Sequence, residues 1–404
     1  MVMRSTSVGL IGCGFMGKRH ILGLSALRNA GKQNFTLDAL FDLDESTAHQ
    51  AANLAEQLLG IRPKTYGSLS EFLGNEEIQA VDIVTGPRTH HEIAIEALNA
   101  GKHVLCEKPL ALTVKAANQM IASAFQNKRI LATAENYRRG GANRLAKAVI
   151  DSGLLGQINL MTEHWSGGND NIIISKWRHH KDTGAIGLDM SVHYADIIEY
   201  YLGPIDRVWG RAIIAEPVRY SADRTETIIP TGEDSIFATM VTKSGITVQY
   251  TYLPSGPGKT FQQRSIHGTK GVLTIPPDRS DGDVILYRDK DSFPGSALVE
   301  LLEGRFKLDA VTKAVLGEDG TGGKNAAWAT VDSGYLAVEL YDFFDAVSAG
   351  REPEIDGYGG LRAIALVYAM LESSYSNREV LVSDIIEEKL HAYEDEINAS
   401  MGLL

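Results

Sequence analysis

The sequence predicts an α/β protein with two domains, a doubly wound parallel sheet followed by an α/β domain with an antiparallel sheet. Its 404 residues are too many for one ordinary hydrophobic core. The first 135 residues alternate strand-like and helix-like segments, which is typical of parallel strands joined by crossover helices. After about residue 155 a two-residue periodicity appears, which is typical of half-buried antiparallel strands.

Short apolar runs define the strands of the first domain, residues 1–135, and a helical pattern follows each of them. The strands are expected at residues 7–12, 36–42, 80–85 and 103–106, and the helices at 16–29, 46–59, 91–100 and 113–126. This order predicts a parallel sheet with helices on both faces.

The second domain, residues 136–404, contains a predicted hairpin. Two strand-like runs, 234–242 and 246–253, flank Lys243-Ser244-Gly245, and in the second run Val248, Tyr250 and Tyr252 alternate with polar residues. Further strands are expected at 260–267, 271–275 and 284–287, and helices around 336–347 and 363–373. These C-terminal helices can pack back on the first domain. The glycine-rich stretch 317–324 predicts a flexible connection.

Composition narrows the class of function. The hydrophobic content of 44% and the charged content of 22% are typical of soluble globular proteins. A net charge of −12 disfavours nucleic acid and anionic membranes as partners, because both require a basic surface. Cys13 and Cys106 are expected to be reduced thiols. Without an apolar stretch of about 18 residues or a signal-peptide pattern, the expected location is cytoplasmic.

A glycine-rich turn lies between the first predicted strand and the first predicted helix. Gly12-Cys13-Gly14-Phe15-Met16-Gly17 has the spacing G-x-G-x-x-G. Gly12 permits a tight turn, Gly14 lets the backbone approach a diphosphate, and Gly17 allows close helix–strand packing. Amide groups at the start of the helix would bind the phosphates. This context predicts a dinucleotide-binding domain of the Rossmann type.

The residue that ends the second predicted strand indicates which dinucleotide binds. Asp42 can accept hydrogen bonds from the adenosine ribose, whereas a 2′-phosphate there would meet a like charge. Leu43 and Asp44 follow, and no Arg or Lys is nearby to hold that phosphate. The sequence therefore predicts NAD rather than NADP.

Several further motifs resemble those of one family, the Gfo/Idh/MocA oxidoreductases. The most specific is Cys106-Glu107-Lys108-Pro109-Leu110, which follows a predicted strand. The other motifs that are similar to the family's patterns are Gly86-Pro87-Arg88-Thr89-His90-His91, Glu135-Asn136-Tyr137-Arg138, Trp177-Arg178, the run from Gly184 to His193, and Gly359-Gly360-Leu361-Arg362-Ala363. Gly86 and Arg88 depart from the family's usual Thr and Asn.

The resemblance implies a Rossmann domain followed by an α/β domain with a large, mostly antiparallel sheet, whose open face often forms homodimers or homotetramers. It implies an active site between the domains and a cis peptide at Lys108–Pro109. It also implies that the cofactor is contacted by Gly12, Gly14, Phe15, Met16, Gly17, Asp42, Thr85, Pro87, His91, Glu107, Lys108, Asn136, Trp177 and Arg178. The implied substrate contacts are Lys108, Tyr137, Trp165, Asp189 and His193.

The chemistry of hydride transfer from a secondary alcohol explains the types of the three implied catalytic residues. The alcohol must lose a proton, so developing negative charge on oxygen needs stabilisation and a base must accept the proton. The ammonium group of Lys108 suits the first task. Asp189 and His193 are four residues apart on a predicted helix, so both side chains lie on one face. The resemblance implies that His193 is the general acid/base, and Asp189 would bind a substrate hydroxyl or orient the His193 ring.

Other interpretations remain open for some of these residues. The pairs His90-His91 and His179-His180 suggest zinc, but adjacent histidines rarely share one tetrahedral metal and no cysteine pair accompanies them, so no metal is expected. His91 is expected beside the cofactor. His179 and His180 either line the substrate cleft or are solvated. Tyr137 and Trp165 either stack on a sugar ring or belong to the core.

Three functions are compatible with the motifs. The leading one is an NAD-dependent dehydrogenase of a secondary hydroxyl on a sugar, cyclitol or glycoside, or a reductase of the corresponding ketone. The second is a glycoside-cleaving enzyme that recycles tightly held NAD through transient oxidation and elimination. The third is a non-catalytic sugar or nucleotide sensor, which a complete Lys108, Asp189 and His193 set disfavours. Segments 165–181 and 252–260 are expected to determine which sugar binds.

Overall fold

A computed structural model describes residues 5–168, 175–221, 223–256, 258–323 and 325–404. The chain divides into two compact units. The first comprises Met1–Ala111, Ala116–Gly141 and Leu308–Gly360, and the second comprises Leu112–Lys115, Ala142–Lys307 and Leu361–Leu404. The first unit thus contains a segment from late in the sequence.

The strands over the described ranges are β1 (Thr6–Ile11), β2 (Phe35–Phe41), β3 (Lys64–Tyr66), β4 (Ala80–Ile83), β5 (His103–Glu107), β6 (Leu131–Ala134), β7 (Ile158–Ser166), β8 (Ile205–Ile213), β9 (Arg219–Tyr220), β10 (Thr227–Ile228), β11 (Ser235–Thr242), β12 (Thr247–Leu253), β13 (Phe261–Gly268), β14 (Gly271–Ile275), β15 (Ile285–Arg288), β16 (Asp291–Phe293) and β17 (Val380–Leu381).

The helices over the same ranges are α1 (Phe15–Asn29), α2 (Glu45–Leu59), α3 (Leu69–Leu73), α4 (His90–Asn99), α5 (Val114–Asn127), α6 (Gly141–Asp151), α7 (Ile186–Leu202), α8 (Gly295–Leu301), α9 (Ala310–Leu316), α10 (Trp328–Ala349), α11 (Gly357–Ser376), α12 (Val382–Ile386) and α13 (Asp395–Ser400). None of the described helices is long and apolar enough to cross a membrane.

The sheet of the first unit is parallel throughout its described length, with strand order β3-β2-β1-β4-β5-β6. The order reverses direction at β1, so the carboxyl ends of β1 and β4 border the crevice where doubly wound sheets bind ligands. The predicted Rossmann fold is confirmed. Its helices bury small apolar residues on the sheet; in α2 these are Ala48, Ala51, Ala52 and Ala55.

Helix α10 completes the core of the first unit. It packs against α1, where a Cβ added at Gly23 would lie 3.0 Å from the Leu336 Cβ. Leu336, Leu340 and Phe343, which show helical spacing in the sequence, are at most 1% exposed. The close approach at Gly23 lets α10 place Leu340 and Phe343 in the same hydrophobic cluster as the residues of β1 and β2.

The sheet of the second unit has the described strand order β16-β15-β14-β13-β7-β12-β11-β8-β17. Strands β7 and β12 are parallel, and the other neighbours are antiparallel. The predicted mostly antiparallel sheet is therefore confirmed, including the hairpin β11–β12, whose Val248, Tyr250 and Tyr252 are buried. Helix α7 contacts one face through Ser191, which accepts a hydrogen bond from the Tyr250 hydroxyl at 2.8 Å.

Candidate active site

The glycine turn of the first unit has the geometry that a bound diphosphate requires. Gly12 has φ of 95°, and a Cβ there would lie 2.9 Å from the backbone of Val84. A Cβ at Gly17 would lie 2.2 Å from the Gly12 oxygen, so side chains are excluded at both positions. At Gly14 a Cβ would meet nothing within 4 Å, which leaves the backbone open to a ligand.

The start of α1 is suited to an anion. No side chain caps it, and its first turn contains no acidic residue. The first amide groups of a helix have no partner within the helix, and the helix dipole favours negative charge there. Phe15 is exposed and Met16 is half-buried, so this turn lies at the surface. These residues fit the diphosphate of NAD.

Asp42 lies directly after β2 and is tied to the glycine turn. Its Oδ2 accepts a hydrogen bond from the Cys13 amide at 2.7 Å, and its Oδ1 accepts one from the Asp44 amide at 2.9 Å. The side chain is half-buried, and Leu43 beside it is 94% exposed. Burial, followed by the Asp42 charge, raises the pKa of the Cys13 thiol to about 12, which keeps the thiol protonated and unreactive.

The loop after β4 carries the residues Thr85 to His91. The Thr89 hydroxyl donates to the Thr85 hydroxyl at 2.9 Å, and Pro87 is buried at the start of a short 3₁₀ turn. Burial lowers the pKa of His91, and its Nδ1 has no hydrogen-bond partner within the described ranges. His91 is therefore neutral, and it remains a predicted cofactor contact.

His90 has a role that the sequence does not reveal. Its Nδ1 lies 2.9 Å from the Pro109 oxygen and its Nε2 lies 3.1 Å from the Thr85 oxygen. The ring thus bridges the loop after β4 to the loop after β5. Burial lowers the pKa of His90. Because carbonyl oxygens only accept, a neutral His90 ring donates to just one of these two oxygens at a time.

Lys108 follows β5 directly and is half-buried. Its amide donates to the Glu107 Oε2 at 2.8 Å, and Glu107 itself is 5% exposed. The Lys108–Pro109 peptide is cis, as the resemblance predicts. Lys108, Asp42 and the glycine turn all lie at the carboxyl edge of the same parallel sheet, where such sheets bind their ligands.

Asn136 and Tyr137 follow β6 at this edge and are both buried. The Tyr137 amide donates to the Glu135 Oε1 at 2.9 Å. Tyr137 retains 8% of its exposed surface, so most of its ring belongs to the core of the unit. Its contact with a sugar remains a prediction.

The second unit carries Asp189 and His193 on one face of α7, and both are buried. Arg178 donates through Nε to the Asp189 Oδ2 at 2.7 Å, and the Arg178 guanidinium lies 4.5 Å from the centre of the Trp177 ring. The sequence pointed to Arg178 and Trp177 only as cofactor contacts. Within the unit, Arg178 is an ionic partner of the predicted catalytic carboxylate.

Trp165, on β7, takes part in an aromatic row beside α7. Its ring stacks on Tyr252 with the centroids 5.3 Å apart, and the Tyr194 ring lies 6.1 Å from Tyr252. Tyr194 directly follows His193 in α7. The row therefore contacts α7 at the residue that follows the predicted acid/base. Residues 169–174 of the predicted specificity segment 165–181, and residue 257 of the segment 252–260, lie outside the described residues.

One of the alternative interpretations, that for His179, can be resolved. His179 is fully buried and its Nδ1 lies 3.3 Å from an Arg219 nitrogen, so the interpretation of His179 as solvated is wrong. His180 is half-buried. Within the part of the chain that the structure describes, no three His, Cys, Asp or Glu side chains are grouped so that they could hold a metal.

The fold and the glycine turn define an oxidoreductase with an NAD-binding Rossmann domain, and comparison with known families agrees. A family model described as "Oxidoreductase family, NAD-binding Rossmann fold" matches residues 6–135, and one described as "GFO/IDH/MocA C-terminal domain" matches residues 143–274. The chain belongs to the Gfo/Idh/MocA family of NAD-binding oxidoreductases.

Relatives match along most of the chain. Levoglucosan dehydrogenase of Pseudarthrobacter phenanthrenivorans is 26% identical over 95% of this chain and 100% of its own length. Myo-inositol 2-dehydrogenase of Thermotoga maritima is 24% identical over 94% of this chain and 99% of its own length. A solved structure of levoglucosan dehydrogenase with NADH and L-sorbose has a TM-score of 0.78 at 23% identity, covering 95% of this chain and 100% of that one. That structural likeness supports the fold.

Proposed function

We propose that this chain is an NAD-dependent dehydrogenase that oxidises a secondary hydroxyl of a sugar, cyclitol or glycoside to a ketone, or reduces that ketone. The observation that carries this proposal is the position of Lys108, directly after β5 at the sheet edge that also carries the glycine turn. Relatives named for levoglucosan and myo-inositol support the substrate class. The cytoplasmic location and the homodimer or homotetramer stay predictions.

The cofactor half of the reaction rests on the first unit. Bound NAD supplies the acceptor for hydride. The amides at the start of α1 hold its diphosphate, and Asp42 holds the adenosine ribose. The other residues that the resemblance implies as cofactor contacts contribute to the rest of the cofactor site: Thr85, Pro87, His91, Glu107, Lys108, Asn136, Trp177 and Arg178.

The substrate half rests on three side chains. Lys108 donates to the reacting oxygen and stabilises the negative charge that grows there in the transition state. His193 accepts the hydroxyl proton during oxidation and returns it during reduction. Asp189 holds a substrate hydroxyl or the His193 ring, and Arg178 keeps that carboxylate oriented.

The first experiment is a substrate screen. The purified protein and NAD are incubated with levoglucosan, inositols, hexoses and simple glycosides, and NADH formation is followed. We expect net NADH from at least one sugar or cyclitol. Release of an aglycone without net NADH would instead indicate the NAD-recycling glycoside-cleaving enzyme. Sugar binding without any turnover would indicate a sensor.

The second experiment separates chemistry from binding. Lys108→Ala should lower turnover by about 10²–10³ because it removes one donor to the developing oxyanion, and it should change NAD affinity far less. His193→Ala should lower turnover by about 10²–10⁴, with partial recovery at high pH. Asp189→Ala should affect both substrate affinity and rate. Lys64→Ala, an exposed lysine on β3 of the same sheet, is the control. Unchanged turnover in Lys108→Ala would contradict the assigned role.

A further inference from the structure

Three ionisable side chains form a buried chain behind the carboxyl edge of the first sheet. His20 comes from α1, Asp82 from β4 and Glu107 from β5, and each is at most 5% exposed. The His20 Nδ1 lies 2.7 Å from the Asp82 Oδ2, and its Nε2 lies 3.2 Å from the Glu107 Oε1. Buried ionisable groups are expensive unless paired, so such a chain requires an explanation.

The two contacts fix the charge of the central ring. A carboxylate can only accept, so an imidazole that bonds to a carboxylate on each side must carry a proton on both nitrogens. Burial alone would lower the pKa of His20, but Asp82 and Glu107 outweigh it and hold that pKa well above its ordinary value. The geometry is therefore that of an imidazolium held between Asp82 and Glu107.

The chain ends at the predicted catalytic lysine. Glu107 uses Oε1 for His20 and Oε2 for the amide of Lys108, at 2.8 Å. The Glu107 carboxylate is thus held between a buried cation and the backbone of Lys108. A continuous series of hydrogen bonds runs from Asp82 through His20 and Glu107 to that backbone.

We propose that Asp82 and His20 are positioning residues for hydride transfer: they fix the Glu107 carboxylate, which in turn fixes the backbone from which the Lys108 amine reaches the reacting oxygen. This inference rests on the proposed function of Lys108. A donor misplaced by about 1 Å can lose about 100-fold in rate, which is why a buried support for it affects catalysis.

Stability alone does not account for this arrangement. Replacing a buried ion pair with apolar residues of similar volume is often neutral or stabilising, so the burial of these charges is not by itself evidence that they serve stability. A neighbouring acid provides the contrast. Glu339, on α10, is 1% exposed, and neither of its oxygens has a hydrogen-bond partner among the described residues. Burial, and then the Glu107 charge, raise the pKa of Glu339 well above its ordinary value, so it is a neutral acid outside the chain.

The charge of the chain can be measured without substrate. In the NAD-bound protein, NMR of isotope-labelled histidine, with His20 assigned by the His20→Gln variant, should show both ring nitrogens protonated throughout about pH 5–8. In Asp82→Asn the ring keeps its burial but loses one carboxylate, so its pKa should fall and the ring should lose a proton within or below that range. A His20 ring that is neutral or titrates ordinarily in the parent protein would overturn the proposal.

Kinetics then test positioning. Asp82→Asn and His20→Gln should each lower turnover by about 10–100-fold, the usual effect of removing a group that orients a reacting residue, with the NAD dissociation constant unchanged. Glu339→Gln is the control matched for burial and should keep the parent turnover. An equal loss in Glu339→Gln, or no loss in Asp82→Asn, would refute positioning. If Lys108→Ala kept its turnover, the proposed function itself would fail, whatever the network variants did.

Discussion

Two buried charge clusters of similar composition serve the two units differently. In the first unit His20 lies between Asp82 and Glu107, and in the second unit Arg264 lies between Glu163 and Asp278. Each cluster places one cation between two carboxylates. The cations differ, because a guanidinium has five donors and keeps its charge at any ordinary pH, whereas an imidazolium has two donors and can lose one proton.

The position of each cluster matches this difference. The Arg264 cluster links β13 to β7, and Asp278 also accepts a hydrogen bond from Asn143 on α6 at 2.6 Å. It therefore joins strands and a helix through a guanidinium that keeps its charge at any ordinary pH. The His20 cluster ends at the backbone of Lys108, a predicted catalytic residue. We infer that the second unit uses its cluster to hold the fold and that the first uses its cluster to hold a site.

The largest expected effect tests the structural half of this comparison. Arg264→Met should lower the free energy of unfolding by about 3–5 kcal/mol, because it leaves Glu163 and Asp278 buried without their cation. Denaturant unfolding would measure the loss. Arg207→Met, which removes a half-buried surface arginine paired with Asp206 and Glu379, is the control and should cost at most about 1 kcal/mol. Similar losses in the two variants would refute a structural role for the Arg264 cluster.

Glu394, in the second unit, sharpens the same comparison because it is a buried acid whose pKa no neighbouring basic side chain lowers. Burial raises the pKa of Glu394 to about 8, although its Oε1 accepts a hydrogen bond from the Val114 amide at 2.7 Å. At pH 7 the folded state therefore holds a proton that the unfolded state releases, so stability falls as pH rises above about 4.5. Glu394→Gln removes this dependence and keeps an acceptor for Val114.

We expect Glu394→Gln to stabilise the protein by up to about 3 kcal/mol at pH 7, and by little below about pH 4. Thermal unfolding as a function of pH would measure the difference. The exposed neighbour Glu396, changed to Gln, is the control and should show no such pH dependence. A constant effect of Glu394→Gln across pH would mean that the acid is ionised in the folded protein.

The smallest expected effect concerns a carboxylate at the ligand edge. We predict that NAD binds better than NADP by at least about tenfold, or 1.4 kcal/mol, because of Asp42. Asp42→Ala should narrow this gap, as measured by titration with both cofactors. Asp38→Ala, which removes an exposed carboxylate on the same strand, should leave it unchanged. Equal binding of both cofactors by the parent protein would show that Asp42 does not discriminate between NAD and NADP.

The strands were predictable where an apolar run in the sequence coincides with a strand of the parallel sheet. The strands β1, β2, β4 and β5 are apolar runs bounded by turn residues, and each was expected within two residues of its observed bounds. By contrast, β6 is only four residues long and contains Leu-Ala-Thr-Ala, which favours no particular structure. Strand β7 mixes charged and apolar residues because Glu163 is paired with Arg264, a partner about one hundred residues away. Local periodicity carries no information about such pairs.

The candidate site shows the same limit. The glycine turn and Lys108 are local motifs. His20, on α1, instead acquires its role from Asp82 on β4 and Glu107 on β5, which are distant in the sequence. A signal for it does exist in the sequence. Asp82 and Glu107 are acids inside or at the end of apolar strand runs, and His20 lies on the helix face that also buries Gly17, Ile21 and Leu24. Buried acids opposite a buried histidine would indicate such a cluster.

The return of α10 to the first unit has a consequence for protein synthesis. When the ribosome has completed the first 135 residues, all six strands of the parallel sheet have been made, but Leu336, Leu340 and Phe343 have not. The face of α1 around Gly23, which Leu336 and Leu340 cover in the folded protein, is then still open to water. The nascent NAD-binding domain must therefore remain unfinished until most of the second unit has emerged, and its exposed apolar face is a natural target for chaperones during that interval.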